Sequence, residues 1–213
     1  MDAEIITVGN ELLLGRTIDT NASWLGRRLD EAGFRVMRKV TVGDDLAAIE
    51  EAIREALLES TVVVVTGGLG PTHDDITREA VARVFGVELV NDPELESTLE
   101  DRFERRGRPF TQEGRTMALI PQGFEWLNNP VGAAPGLVMK MTEFGRKCLL
   151  VFPGVPYEMK AIYREHAIGV FEHVGRIGSA HRMFRTAGSV SFAKPSMVAS
   201  SVGSWVGKSG SAA

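Results

Sequence analysis

Cysteine is almost absent. Cys148 is the only one in 213 residues, which excludes an internal disulfide and leaves no cysteine pair for a metal. Between Lys147 and Leu149 it reads as a small apolar core residue. Long apolar runs are also missing: none approaches the roughly 18 residues of a membrane helix. The N-terminal MDAEIITVG carries an acid where a secretory signal would carry bases. A cytoplasmic protein with no membrane partner is expected. Acidic residues are missing from the far end, where Arg176, Arg182, Arg185, Lys194 and Lys208 follow Glu172 without one. The preceding residues therefore hold 19 basic against 28 acidic side chains, which argues against a nucleic-acid surface on the main body.

What is present is ordinary globular material, 44% hydrophobic and 24% charged. Its length suits one domain of about 150 to 170 residues with an appendage. The domain is placed at residues 1–174. In the remainder, 175–213, 17 of the last 27 residues are Gly, Ala or Ser, so it reads as a tail or truncated linker, poorly ordered rather than an anion-binding arm.

The hydrophobic pattern alternates strands with helices. Glu4 to Val8 is a short apolar run ending at Gly9. A helix follows, with Thr20 or Asn21 able to cap it, Leu25, Leu29 and Ala32 on one face and Gly33 as its stop. A strand over Arg35 to Val42 precedes an amphipathic stripe, Leu46, Ile49, Ile53 and Leu57, that Asp44 or Asp45 can cap. Thr61 to Thr66, TVVVVT, is apolar on both faces and predicts the centre of a parallel sheet with helices on each side. Glycines then lead into a helix over Thr77 to Phe85, giving three β-α units and an α/β fold. Further on, Asp92 to Arg106 and Phe110 to Leu119 read as helices. Leu137 to Met141 and Cys148 to Phe152 read as strands, and Val155 to Phe171 as a closing helix.

The chemistry concentrates in TGGLGPTHDD, Thr66 to Asp75. Glycines after a central strand let backbone N–H groups approach an anion, and the following helix adds its positive end. Neither GxxxxGK[ST] nor GxGxxG is present. Asp74 and Asp75 beside a phosphate would repel it unless a divalent cation intervened, although one of them could only cap the helix. His73 in this loop reads as solvent-exposed, and His166 and His173 lack the neighbours for a zinc site.

Four segments carry a family resemblance: GNELLLGRTIDTNASWL, TGGLGPTHDDITREAVA, NPVGAAPG at Asn129 to Gly136, and FPGVPYEMK at Phe152 to Lys160. In order and spacing they resemble the competence/damage-inducible protein A family over about residues 4 to 172. Its N-terminal domain is similar to the molybdopterin-binding, molybdopterin adenylyltransferase fold, a three-layer α/β/α sandwich with a mainly parallel sheet. The resemblance implies a metal-dependent pyrophosphatase acting on ADP-ribose or a related nucleotide diphosphate. It puts Thr66, Gly67, Gly68 and Gly70 on the phosphate loop, Asp75 and Asp44 on catalytic acids, and Asp44, Asp74 and Asp75 about the metal. It adds Asn10, Glu11 and Asp19 from the N-terminal motif, and Gly132, Gly136, Gly154, Pro156 and Glu158 from segments that close the pocket. Asp19 and Asp44 could instead cap helices, and the three glycines could serve turns. Ala133 stands where the family usually has Thr, which removes a hydroxyl that could contact phosphate, and Phe152 stands where Leu is common.

The longer members add a deamidase-like domain; HRMFRTAGS at His181 to Ser189 resembles the opening of the connection to it, after which the resemblance fades, so that activity is not expected here. Two rival readings use the same pocket: an adenylyltransferase of molybdenum-cofactor assembly, and a non-catalytic pterin- or nucleotide-binding module. The related fold also implies self-association, and Trp24, Phe103 and Phe110 are candidate interface side chains.

Overall fold

The computed structural model describes residues 1–142 and 145–175. Five of the chain's elements form one sheet edge to centre: β1 (Asp2–Val8), β2 (Arg35–Val42), β3 (Val62–Thr66), β7 (Gly136–Met141) and β8 (Lys147–Phe152), with the three-residue β6 (Glu125–Leu127) completing it. The order is β2-β1-β3-β8-β7-β6. The first four strands are mutually parallel, while β7 and β6 add antiparallel pairs at the far edge. A two-stranded antiparallel piece, β4 (Leu89–Asn91) with β5 (Leu119–Pro121), stands apart.

The valines of β3 account for the layering. The strand is buried along its whole length, and period-2 alternation sends Val62 and Val64 into one apolar cluster and Val63 and Val65 into the other. The first cluster is closed by α2 (Thr20–Glu31) and α7 (Pro156–His173), which contribute Leu25, Leu29, Met159 and Ile162. The second is closed by α3 (Leu46–Glu59), α4 (Thr77–Phe85) and α5 (Pro93–Arg105), through Ile53, Val81, Leu95 and Leu99. This is the expected three-layer α/β/α sandwich. Cys148 lies at the core, and burial pushes its thiol up to about 12.

Several local expectations are corrected. Asp19, rather than Thr20 or Asn21, caps α2 by accepting from Ala22 N at 2.8 Å. Phe110 to Leu119 holds only the single turn α6 (Gln112–Thr116) before β5 begins. Thr111 caps it by accepting from Gly114 N, and Gly114 packs so tightly under Phe110 that a Cβ there would lie 3.1 Å from the ring. Trp24 meets Tyr163 edge-on at 5.1 Å, and Phe103 lies against Phe110 at 5.3 Å. All three rings pack within the chain while staying only partly buried. The expectations for the tail lie outside the described residues.

The connections place the site. From β1 the chain moves outward to β2, then crosses back to β3 on the other side of β1. The crevice outside the carboxyl ends of β1 and β3 is thus a topological switch point, where open parallel sheets receive ligands. Thr41, Thr7 and Thr66 form one register row across β2, β1 and β3 at this edge. Leu150, fully buried in β8, tests the layering: Leu150→Ala should lower the unfolding free energy by about 2 to 5 kcal/mol in urea denaturation with an unchanged m-value.

Candidate functional site

The loop leaving β3 passes where no side chain fits. A Cβ on Gly67, at φ +114°, would lie 2.3 Å from the Val8 carbonyl oxygen, and one on Gly68, at φ +67°, would lie 2.2 Å from Thr77 Oγ1. The loop after β8 closes from the side, with Gly154 so near that its Cβ would sit 3.3 Å from Gly67 Cα. Gly67 N donates to Phe152 O at 3.0 Å. The next three N–H groups, of Gly68, Leu69 and Gly70, have no acceptor among the described residues. Successive unsatisfied N–H groups ahead of a helix form a concavity suited to an anion.

The acidic residues resolve differently from one another. Asp75 Oδ2 accepts from Thr72 N at 2.8 Å and Thr72 Oγ1 at 2.5 Å, curling the loop back on itself. Asp74 and His73 are exposed. The cap of α4 is Ile76, without a side-chain bond, so neither aspartate of the pair has the capping role. Asp45 caps α3, which leaves Asp44 to bridge loops: its Oδ2 accepts from Asn10 N at 3.0 Å, and its own N donates to Asn10 Oδ1 at 3.3 Å. Asn10 opens the short α1 (Asn10–Leu13) directly after β1.

Among the described residues, no group of three or more His, Cys, Asp or Glu side chains is arranged to hold a metal ion. Asp44, Asp74 and Asp75 therefore make no preformed cage. Separate carboxylates could still serve a cation such as Mg²⁺, which keeps its waters and binds through one or two carboxylates together with substrate phosphates.

A cleft of about 100 Å³ opens at the switch point, lined in part by Thr7, Glu11, Ile18, Asp19, Asn21 and Thr66, with Gly154 and Pro156 across from them. It is short of the roughly 300 Å³ at which small-molecule pockets begin, so a nucleotide would fill it in part and lie across its mouth. A wider groove of about 420 Å³ between α2 and β2 contains none of the residues singled out in the sequence.

Three expected pocket residues lie elsewhere. Glu158 is buried, and its Oε2 accepts from Asn129 Nδ2 at 2.7 Å. A Cβ on Gly132 would fall 2.0 Å from the Glu158 carboxyl carbon. Asn129 also donates to Ala134 O and accepts from the N–H groups of Val131 and Gly132. Glu158 and Gly132 thus pin the 129–136 loop to α7, because a buried carboxylate needs its partners close. Gly136 starts β7 and packs against Ile162 and the Val151 carbonyl. His166 and His173 each meet a backbone carbonyl, of Asn128 and Met141.

Four residues escaped the sequence reading: Thr7, Asn21, Asn129 and Arg78. Asn21 donates to Gly154 O at 2.7 Å and Thr66 Oγ1 at 3.2 Å, tying three segments together under the cleft. Because Gly154 O can only accept, the amide orientation is fixed. Arg78, 5% exposed, donates from Nη2 to Leu69 O at 2.9 Å. Burial lowers its pKa to about 10, against the opposing pull of the Asp75 charge. Among the described residues five buried side-chain polar atoms lack a partner, and Asn21 Oδ1, Thr77 Oγ1 and Arg78 Nε are three of them. Unsatisfied buried groups are rare enough to require a reason, and these three of the five belong to residues that contact the β3 end or the loop leaving it.

Fold and loop together define an α/β/α domain with a turn of unpartnered backbone N–H groups at its switch point. The family model described as a probable molybdopterin binding domain matches residues 4–173. A CinA-like protein of Salinibacter ruber is 43% identical over 189 residues, 88% of this chain and 45% of that protein. The crystal structure of CinA from Thermoplasma acidophilum, a protein of unknown function, is 39% identical with a TM-score of 0.73 over 79% of this chain and 97% of its own. The chain belongs to the molybdopterin-binding domain family, in its CinA branch. MoaB of Pyrococcus furiosus, a tungsten cofactor synthesizing protein, shares the fold at 19% identity and a TM-score of 0.52, over 81% of this chain and 96% of its own. This chain spans about half the length of the curated CinA-like relatives it matches.

The reassignment of Glu158 can be checked through its partner. Asn129→Ala strands a buried carboxylate and should cost about 1 to 3 kcal/mol of stability in chemical denaturation, where an unaltered midpoint would refute the pinning role.

Proposed function

We propose that this domain binds a nucleotide diphosphate with its phosphates on Gly67 to Gly70 and hydrolyses the pyrophosphate bond, with ADP-ribose or a close relative as substrate. The observation that carries the reading is the run of three unpartnered N–H groups, of Gly68, Leu69 and Gly70, ahead of α4. Such donors bind the ground-state phosphates and stabilise charge developing on the phosphoryl oxygens. Asp75 stands at the loop, 2.6 Å from where a Gly70 Cβ would be, and Asp44 stands on the neighbouring strand end. In this reading one carboxylate orients the attacking water while Asn10, Glu11, Asp19 and Asn21 locate the ribose side of the ligand. Asp75 with Asp44 or Asp74 would hold a divalent cation, which would supply charge neutralisation and help to activate the attacking water. ADP-ribose would give AMP and ribose 5-phosphate, with one water consumed.

A second reading, transfer of AMP to a pterin phosphate, is favoured by the family and by the MoaB-like fold. A third, a binding module without chemistry, uses the same loop and differs only in leaving its ligand unchanged. A cytoplasmic setting and self-association belong to the same proposal. Among the described residues no helix is long and apolar enough to cross a membrane, and self-association draws support from the related fold.

The deciding experiment incubates the protein with ADP-ribose, or with molybdopterin and ATP, over a panel of divalent metals and identifies the products. AMP with ribose 5-phosphate supports hydrolysis, an adenylylated pterin supports transfer, and unchanged ligands with every metal support the binding module. Asp75→Asn should lower the hydrolytic rate about 100-fold or more with folding nearly unchanged, and Asp74→Asn should cost less. A rate within about threefold of wild type, roughly 0.7 kcal/mol in the barrier, would remove Asp75 from the chemistry.

A further inference from the structure

Arg78 occupies a position that elementary electrostatics disfavours twice. It is the second residue of α4, where the helix already presents its positive end and a cation opposes the macrodipole. It is also buried, and a guanidinium taken out of water without a salt-bridge partner carries a large desolvation cost. Its side chain forms no ion pair among the described residues. Its one hydrogen bond goes to a backbone carbonyl of the glycine loop, and its Nε has no partner. Asp75 is the one carboxylate whose charge acts on it appreciably.

The bond to Leu69 O has a geometric consequence. In a trans peptide the C=O and the following N–H point in opposite directions, and the protein has no cis peptide among the described residues. With the Leu69 carbonyl drawn to a buried guanidinium, the Gly70 N–H is turned the other way, out of the interior. Peptides beside glycine flip readily, so this orientation needs a lock.

We propose that Arg78 is the positioning residue of the anion loop: it holds the Leu69–Gly70 peptide so that the Gly70 N–H faces the ligand, and it places a fixed positive charge behind that peptide, making the loop selective for a polyanion such as a diphosphate. The proposal rests on the reading of Gly67 to Gly70 as the phosphate site. It explains why a domain whose first 172 residues carry an acidic excess can still attract an anion, since a charge in a low-dielectric setting is screened far less than exposed ones.

The test titrates inorganic pyrophosphate into wild type, Arg78→Met and Arg78→Lys by calorimetry, with adenosine as a phosphate-free control and thermal melting as a check on folding. Arg78→Met should weaken pyrophosphate binding about tenfold or more and leave adenosine binding unchanged, and Arg78→Lys should restore most of the loss. In parallel, the amide spectrum of the wild-type protein is followed during the titration, a measurement that does not depend on any variant folding. The Gly70 resonance should shift together with those of Gly68 and Leu69. Equal pyrophosphate affinity in a folded Arg78→Met, or a Gly70 amide that stays put while its neighbours move, overturns the role of Arg78 and leaves the phosphate loop standing. No movement of any of the three amides overturns both.

Discussion

The carboxyl edge of this domain depends on a backbone contact that leaves no room for a side chain. Gly67 runs against the Val8 carbonyl, and Gly154 runs against Gly67, so the ends of β1, β3 and β8 come together at van der Waals distance. Any larger residue at Gly67 would push β3 away from β1 and open the crevice between them. The polar residues of the site are arranged around this junction. Asn21 bridges Thr66 and Gly154 across it, and Thr66 Oγ1 donates onward to Pro153 O at 3.0 Å. The apolar layers beneath, built on β3, hold the three strand ends level. Packing therefore sets the backbone geometry, and backbone geometry sets which N–H groups stay unsatisfied.

Much of this was legible in the sequence because the strong signals are local. TVVVVT announced a strand buried on both faces, and the structure places it between β1 and β8 with its valines shared between two cores. The helix over Thr77 to Phe85 and the strand over Arg35 to Val42 fall where periodicity put them. Strands β4, β5 and β6 went unread because each has three residues, too few for an alternation to register. Capping was ambiguous at every aspartate pair, since the residue types that cap are also those that bind. Only the fold separates Asp45, bonded to Ala48 N, from Asp44, bonded to Asn10 N.

The residues missed at the site share a physical cause. Asn21, Asn129 and Arg78 act through contacts with chain segments far away or through backbone carbonyls, and neither leaves a spacing pattern. Asn21 meets Gly154 across 133 residues. Arg78 did leave a trace, a basic residue in the first turn of a helix, where Asp and Glu are the favoured charges. Glu158 shows the opposite error. A carboxylate within a pocket-closing motif suggested ligand contact, yet its burial and its bond to Asn129 make it a structural anchor.

The site also explains how one scaffold can serve different chemistries. The turn of unpartnered N–H groups and the buried Arg78 that bonds to it are set by the fold, ahead of any choice of reaction. The cleft beside them is lined by residues of the segment from Leu12 to Asp19 and by Pro156 at the start of α7. Leu13, Leu14 and Ile18 on this segment and Tyr157 on α7 are all more than half exposed, an apolar rim that water covers poorly. A bound heterocycle would remove part of that surface from water, worth about 25 cal/mol per Å² of apolar area. Rim contacts of this kind add affinity for a ring without favouring one reaction over another. On the proposed reading, reaction class would be decided at the carboxylates Asp44 and Asp75, by whether they hold a water or leave the position free for a second substrate.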